Sequence, residues 1–165
     1  MAITINGSTG ISGVPAGGYN LVDGDMPSGA VLQVVQSIFT TEVATTTTSW
    51  ADTGMSASIT PSNASNKVLV QINHGLLATA NCYGRIQLLR GSTSLEIYGY
   101  AQYSYPSELS AGYLSAQWLD SPSTTSATTY KTQLALHTGS GTFKVNNGDS
   151  GGYQVSSIIL MEIAA

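Results

Sequence analysis

A serine, a histidine and an aspartate occur in the order of one known catalytic triad. Ser150 lies in the run GDSGG at residues 148–152, and both His74 and Asp120 precede it. In such a triad the histidine removes the serine proton, and the aspartate orients the histidine. The chain therefore contains the three residue types of a serine hydrolase triad. The residues around them in the sequence indicate whether they could form a catalytic triad.

That setting argues against a protease. The GDSGG run resembles the nucleophile loop of chymotrypsin-like serine proteases, but His74 lies in the run INHG rather than in the AAHC-like setting of that family. Only 15 residues follow Ser150, which leaves no room for the strands that would form a specificity pocket. A hairpin turn over residues 146–152 explains the same letters, because Asn, Asp and Gly favour tight turns.

Metal sites and paired-carboxylate sites lack the required spacing as well. His74 and His137 could each supply one ligand, but neither belongs to a His pair or an acidic cluster with ligand spacing. Asp23 and Asp25 could begin a calcium loop, but the later ligands are absent and a plain turn fits better. Nothing favours any pair of the scattered acids for glycoside hydrolysis. We expect no cofactor and no enzymatic activity; a sugar-binding lectin or a glycan-cleaving enzyme remains the alternative.

Charged side chains are scarce in this sequence. It has 5 Lys and Arg and 9 Asp and Glu in 165 residues, or 8%, whereas soluble domains carry roughly 25%. The net charge of -4 argues against a nucleic-acid partner, which requires clustered basic residues. Neither a signal peptide nor an apolar run of membrane-spanning length is present. Such a surface fits a structural protein packed against copies of itself or against another shell.

The first 29 residues differ in composition from the rest. Seven glycines and two prolines interrupt every candidate helix or strand there. We interpret residues 1–29 as an extended attachment arm and residues 30–165 as a head domain, with a floppy tail as the alternative for the arm. The apolar anchors of the arm would be Ile3, Ile5, Ile11, Val14, Tyr19, Leu21 and Val22.

From residue 30 onward the pattern is that of short β-strands. Residues 51–60 alternate between apolar and polar side chains, the period of a half-buried strand. The Thr-rich segment 45–50 favours a strand, and residues 85–98 are typical of a hairpin. Residues 155–163 are apolar on both faces, which predicts a central strand. Eight to ten strands predict an all-β antiparallel β-sandwich or jelly roll, with Trp50 and Trp118 in its core.

The tyrosines between residues 98 and 105 give the surface its one feature with binding character. Along a strand, Tyr98 would face one side of the sheet, while Tyr103 and Tyr105 would face the other. Tyrosine supplies a rigid ring and a hydroxyl, which suit sugar stacking or a protein interface. We predict a surface contact for a ligand or receptor at Tyr103, Tyr105 and Glu108, with packing or a subunit contact as the alternative.

Several segments carry a family likeness in a fixed order. They are MAITING at 1–7, PSGAVLQVVQ at 27–36, SWADTGMSASITPS at 49–62, SNKVLV at 65–70, LLRGS at 88–92, LDSP at 119–122, TYKT at 129–132 and IILMEI at 158–163. Together they resemble small tail-fibre-like and virion structural proteins of bacteriophages, cyanophages in particular. The resemblance covers about two-thirds of the chain, and the succession of segments carries it.

The resemblance implies a non-catalytic β-sandwich on the outside of a virion, assembled as a homotrimer. We therefore expect a jelly roll of the TNF-like kind with an extended N-terminal arm. The expected function is that of a capsid decoration (cement) protein anchored by its arm to capsid or tail proteins. A tail fibre or receptor-binding tip that contacts a glycan or protein of the host surface is the alternative, and no nucleic-acid or membrane partner is expected.

Overall fold

The computed structural model describes residues 4–6, 10–12, 26–106, 108–146 and 154–165. Most of the described residues lie in strands, and the described residues contain no helix. The strands of the described residues are β1 Thr4–Asn6, β2 Gly10–Ser12, β3 Val31–Phe39, β4 Val43–Thr45, β5 Ala51–Ile59, β6 Lys67–Thr79, β7 Cys82–Arg90, β8 Thr93–Ser104, β9 Leu109–Asp120, β10 Thr128–Gly139, β11 Phe143–Val145 and β12 Ser156–Ile163.

Ten of these strands form two antiparallel sheets that pack as a β-sandwich. The smaller sheet has the order β5-β10-β7-β8. The larger sheet has the order β3-β12-β6-β11-β4, and β9 pairs with the other edge of β6. Strands β1 and β2 pair only with each other. The predicted all-β antiparallel sandwich is therefore confirmed.

Alternating side chains explain why the sheets pack face to face. In β5, Met55, Ala57 and Ile59 are buried while the residues between them are exposed, as the period of two predicted. Strand β12 lies between β3 and β6, which confirms that the last apolar segment is central. Strands β7 and β8 form the predicted hairpin, and Gly91 makes its turn with a φ of 58°, a backbone region that glycine adopts without steric cost.

The prediction of a strand over residues 45–50 is wrong beyond Thr45. Strand β4 ends at Thr45, and residues 46–50 leave the sheet. Their backbone groups bond elsewhere, because the carbonyl of Thr47 accepts from the amide of Leu136 at 2.8 Å and the carbonyl of Thr48 accepts from Arg85 at 3.1 Å. The Thr45 hydroxyl also bonds the amide of Thr47, a local contact that competes with strand pairing.

The core between the sheets consists of two apolar clusters rather than one built on tryptophan. The first is formed by Met55, Ala57, Ile59, Val68, Val70, Ile72, Leu88, Tyr130, Ile158 and Leu160, and the second by Leu76, Ala78, Cys82, Ile86, Leu134, Leu136, Phe143 and Val145. Trp118 packs only against the rim of the first cluster, and Trp50 lies under the guanidinium of Arg85. The prediction that tryptophans lie in the core is thus wrong for Trp50. Trp118 is partly buried and packs against the edge of the first cluster.

Candidate functional site

Among the described residues, one broad surface carries charged side chains only at its margins. It is the outer face of the larger sheet where β3, β12, the first part of β6 and β9 run side by side, and we call it the neutral face. Its members are Val31, Val34, Gln36, Ile38, Leu69, Gln71, Asn73, Tyr113, Ser115, Gln117, Leu119, Ser157, Ile159, Met161 and Ile163. Ionic groups lie at its margins, where Lys67 pairs in register with Ile163, and Lys144 bonds Glu42 at 2.9 Å beside β6.

Strand register arranges the neutral face in rows across the four strands. One row is apolar and consists of Val34, Met161, Leu69 and Leu119. The next row consists of Gln36, Ile159, Gln71 and Gln117, and the third of Ile38, Ser157, Asn73 and Ser115. Large apolar side chains stand well out of this face, since Ile38 and Tyr113 are each 61% exposed and Leu119 is 52% exposed.

A shallow groove of about 320 Å³ crosses the amide-rich rows of the neutral face. Its walls include Gln71, Asn73, Gln117 and Ile159. The side-chain amide of Asn73 donates to the hydroxyl of Ser115 at 3.0 Å, so part of this polar lining is satisfied within the sheet. The groove therefore offers neutral hydrogen-bonding groups beside apolar ones, and nothing in its lining would attract an ion.

The outer face of the smaller sheet, which we call the charged face, is built differently. Lys131 of β10 bonds Asp52 of β5 at 3.0 Å, and Gln133 donates to the same carboxylate at 2.8 Å. The hydrogen bond from Gln133 and then the contact with Lys131 hold the pKa of Asp52 below its usual value. Farther along, the guanidinium of Arg85 lies 4.6 Å from the ring centre of Trp50, a cation–π contact.

Three tyrosine rings cluster at one end of the charged face. Tyr83 of β7 and Tyr103 of β8 are paired in register, and their ring centres are 4.2 Å apart. Tyr105 meets Tyr103 edge-on at 4.6 Å and is 60% exposed. The hydrogen bond with Tyr83 is the largest cause that raises the pKa of Tyr103 to about 12. We call these three rings the tyrosine cluster; Glu108 is exposed in the following turn.

His74, the histidine of the conceivable triad, lies in a polar layer between the two core clusters. Its Nε2 is 2.9 Å from the hydroxyl of Thr132, and its Nδ1 is 3.0 Å from the hydroxyl of Ser156. Because Ser156 donates its own hydrogen to Asn146, Nδ1 of His74 must donate and Nε2 must accept. Burial away from water lowers the pKa of His74 to about 4, so the ring is neutral at physiological pH.

The triad is not assembled. Asp120 pairs with Val68, six residues along β6 from His74, which separates the two residues by roughly 20 Å. Asp120 instead accepts from Arg90 at 2.8 Å and from the hydroxyl of Tyr130 at 2.7 Å. Ser150 lies outside the described residues. His74 serves the core, and Asp120 joins the two sheets at their edge.

Glu162 is the most completely enclosed carboxylate among the described residues. It accepts from the amide and hydroxyl of Ser62, each at 2.7 Å, and from the side-chain amides of Asn66 and Gln33. Burial raises the pKa of Glu162, but these donors outweigh it and leave the pKa below its usual value. The bonds tie β3, the loop after β5 and β12 together, and they explain this inward acid as a structural one.

Most of the predicted arm cannot be compared with the structure. Ile5 and Ile11 lie on the paired strands β1 and β2, and their side chains are outside the described structure. Ile3, Val14, Tyr19, Leu21 and Val22 lie outside the described residues altogether, as do Asp23 and Asp25. The attachment role of the arm stays a prediction.

Among the described residues, no group of three or more His, Cys, Asp or Glu side chains could hold a metal ion. In the same part of the chain, no helix has the length and apolar character to cross a membrane. Comparison with known proteins finds no matching family model and no similar curated protein. The arguments for function therefore rest on the two outer faces and on the tyrosine cluster.

Sequence reasoning missed the residues of the neutral face as a site. The signal was present in β12, where Ile159 and Met161 are apolar on the face away from the core. This pattern predicts a central strand, and it does not by itself predict a contact surface. The cross-strand rows that join these residues to β3, β6 and β9 depend on register, which the sequence did not supply.

Proposed function

We propose that this protein is a non-enzymatic structural subunit of a bacteriophage particle that assembles with its own copies through the neutral face. Its role is that of a capsid decoration (cement) protein exposed on the particle surface. The observation that carries this proposal is the neutral face, an uncharged and partly apolar surface four strands wide. The phage assignment is supported by the resemblance of the ordered segments to virion structural proteins.

A second copy of the chain is the occupant that best fits the neutral face. In a cyclic homotrimer each contact joins two different patches of neighbouring copies, so a charge on either patch would be buried in the contact and would need a partner. The neutral face avoids that cost because none of its members is ionised at neutral pH. Interface centres are also depleted in charge and enriched in Tyr and Met, and Tyr113 and Met161 belong to this face.

The jelly-roll form of the sandwich and the trimer belong to the same proposal. Eight long strands are divided four to each sheet, in the orders β3-β12-β6-β9 and β5-β10-β7-β8. Successive strands pass between the sheets at β5 to β6, β6 to β7, β8 to β9 and β9 to β10. Eight strands in two sheets are typical of jelly rolls, which supports the TNF-like version expected from the sequence. The homotrimer is supported by the family likeness.

Residues 1–29 supply the attachment to the shell. Strands β1 and β2 pair with each other rather than with the sandwich, so these two strands complete neither of its sheets. An extended segment that adds to the sheet edge of a neighbour gains affinity from main-chain hydrogen bonds, and it requires few charges. Removal of residues 1–25 is expected to leave a folded oligomer that no longer joins particles.

Copy number and location in purified particles test the proposed role. Many copies at regular positions on the capsid in a cryo-microscopy map, together with loss of incorporation on deletion of residues 1–25, are the expected results. Full incorporation of the truncated protein would contradict the arm. Absence of the full chain from purified particles, or turnover of a substrate, would contradict the structural role.

A tail fibre or receptor-binding tip is the second candidate. The tyrosine cluster favours it, because that cluster lies on the sheet face opposite to the neutral face and Tyr105 is 60% exposed. A few copies confined to the tail, in the same map, would select this role over decoration of the capsid. The self-association through the neutral face is common to both roles.

A further inference from the structure

The turn that carries Tyr105 is joined to the loop after β6 by backbone hydrogen bonds. The amide of Ala80 donates to the carbonyl of Glu108 at 2.9 Å, and the amide of Asn81 donates to the carbonyl of Tyr105 at 3.1 Å. The hydroxyl of Ser104 closes the same turn by donating to the carbonyl of Glu108 at 2.6 Å. These bonds hold the backbone of the turn that carries Tyr105, and the ring of Tyr105 packs edge-on against Tyr103.

The backbone beneath this turn adopts conformations that non-glycine residues rarely adopt. Ala80 and Asn81 have φ values of 29° and 53°. Gly139 lies against them with a φ of 109°, and a Cβ atom there would approach the carbonyl of Asn81 to 2.1 Å. Non-glycine residues in this region cost stability and are concentrated at functional sites. The loops therefore keep a strained geometry that positions the tyrosine rings.

The chemistry around the rings selects an uncharged amphipathic ligand. The nearest basic side chain on the same strand is Arg85, and its guanidinium is held over Trp50 and by the carbonyl of Thr48 at 3.1 Å. The exposed acid in the turn is Glu108, which disfavours phosphate, sulfate and carboxylate groups and can accept hydrogen bonds from hydroxyls. Aromatic rings with hydroxyl edges suit a ligand that has both an apolar face and a polar rim.

We propose that the tyrosine cluster, with Glu108 beside it, is a binding site for neutral polysaccharide, in which a pyranose ring stacks on Tyr105. A pyranose presents C–H groups on its face and hydroxyls at its edge, which matches the exposed ring and the carboxylate. The site lies on one subunit and on the charged face, so it does not depend on association through the neutral face. It deepens the receptor-binding candidate by naming the class of ligand.

Affinity electrophoresis in native gels tests this site. The probes are a soluble β-glucan, a galactomannan and dextran as neutral polysaccharides, with alginate as an acidic one. The full chain is expected to be retarded by at least one neutral probe and not by alginate. Tyr105→Ala is expected to weaken the binding by about tenfold or more, whereas Tyr105→Phe, which keeps the ring, retains most of it.

Ile97→Ala is the matched control, because Ile97 is an exposed side chain of the same face (46%) and pairs with Gln87, four residues from Tyr83. It is expected to bind like the unmodified chain. The oligomeric mass of Tyr105→Ala must also be unchanged. The proposal would be overturned if none of the neutral polysaccharides retards the chain, or if alginate alone does. Dissociation of the oligomer in Tyr105→Ala would also overturn it, because Tyr105 would then form a contact between copies.

The Leu119→Lys variant separates this proposal from the proposed assembly. Leu119 lies on the neutral face, so a subunit that no longer associates still carries an intact tyrosine cluster. Retardation that persists in this variant, weakened only by lost multivalency, is the expected result. Complete loss of binding in a folded Leu119→Lys subunit would contradict a site on the single subunit.

Discussion

The two outer faces of the sandwich have opposite chemistry although the same alternation of side chains produced both. On the charged face, exposed positions are filled by an ion pair, a cation–π contact and hydroxyls such as those of Ser56 and Ser58. On the neutral face, the equivalent positions hold aliphatic and amide side chains in register. The polar and ionic side chains of the charged face can remain in contact with water. The apolar side chains of the neutral face are explained if another subunit covers them.

The largest expected effect comes from placing a lysine on each face in turn and comparing how strongly the subunits associate. Leu119→Lys places an ammonium within the apolar row of the neutral face, where its copies would meet like charges or be buried without a partner. We expect association to weaken by at least about 100-fold. Ile97→Lys places the same charge at an exposed position of the charged face and leaves association unchanged. Sedimentation velocity across a concentration series measures both, and equal effects of the two substitutions would contradict the comparison.

The next largest expected effect is the loss of folding stability at acidic pH. It arises from His74, which is buried between the sheets and belongs to neither outer face. The pKa of His74 falls from 6.5 to about 4 on folding because of burial. The unfolded chain therefore binds more protons, so stability is complete above pH 6.5 and declines as pH falls toward 4. Between pH 7 and pH 5, we expect a loss of about 2 kcal/mol in the free energy of unfolding.

Urea unfolding at both pH values measures this loss. His137→Gln, a substitution at an exposed histidine of β10, is the matched control and should keep the pH dependence. In His74→Gln most of the decline between pH 7 and pH 5 should disappear. An unmodified chain whose stability is flat over this range would show that His74 is not the neutral, buried group described here.

Much of this architecture follows from the sequence, because alternation within a strand reports which side chains face inward. Met55 to Ile59 and the central position of β12 are examples in which period and branching determined the strand. The strand predicted for the Thr-rich segment was wrong over residues 46–50 because β propensity competes with local hydroxyl-to-backbone bonds. Trp50 was placed in the core for its size, whereas the structure uses it as a platform for Arg85.

The residues of the candidate sites also fall into those that the sequence predicts and those that only the strand register brings together. Tyr103 and Tyr105 were found from sequence because aromatic side chains are concentrated in one short segment. Tyr83 was not, since its partnership with Tyr103 arises from the register of β7 and β8. The neutral face was missed for the same reason, because Leu69, Met161 and Leu119 are far apart in sequence and become one row only through pairing across three strands.

The ion pair on the charged face gives a small effect that sharpens the comparison. Asp52 is exposed, and exposed pairs contribute little because water and salt screen them. Asp52→Asn is expected to lower the free energy of unfolding by about 0.5 kcal/mol and to leave association unchanged. Thermal unfolding together with sedimentation checks both parts. A substantially weaker oligomer in this variant would place the charged face at the contact.

Salt is expected to have the smallest effect. The contact between neutral faces contains no ion pair, so the dissociation constant should change by less than about twofold between roughly 0.05 and 0.5 M NaCl. Sedimentation or light scattering at several salt concentrations measures this constant. A strong weakening with added salt would indicate that charged residues, and not the rows of Val34 and Gln36, form the interface.

The absolute mass of the purified chain in solution tests the central claim most directly. Size-exclusion chromatography with light scattering at micromolar concentration should give a mass close to three times the 17.1 kDa of one subunit. Leu119→Lys should return the mass to that of a single chain. A monodisperse 17.1 kDa particle formed by the unmodified protein would contradict the account, because the neutral face would then be stable while facing water.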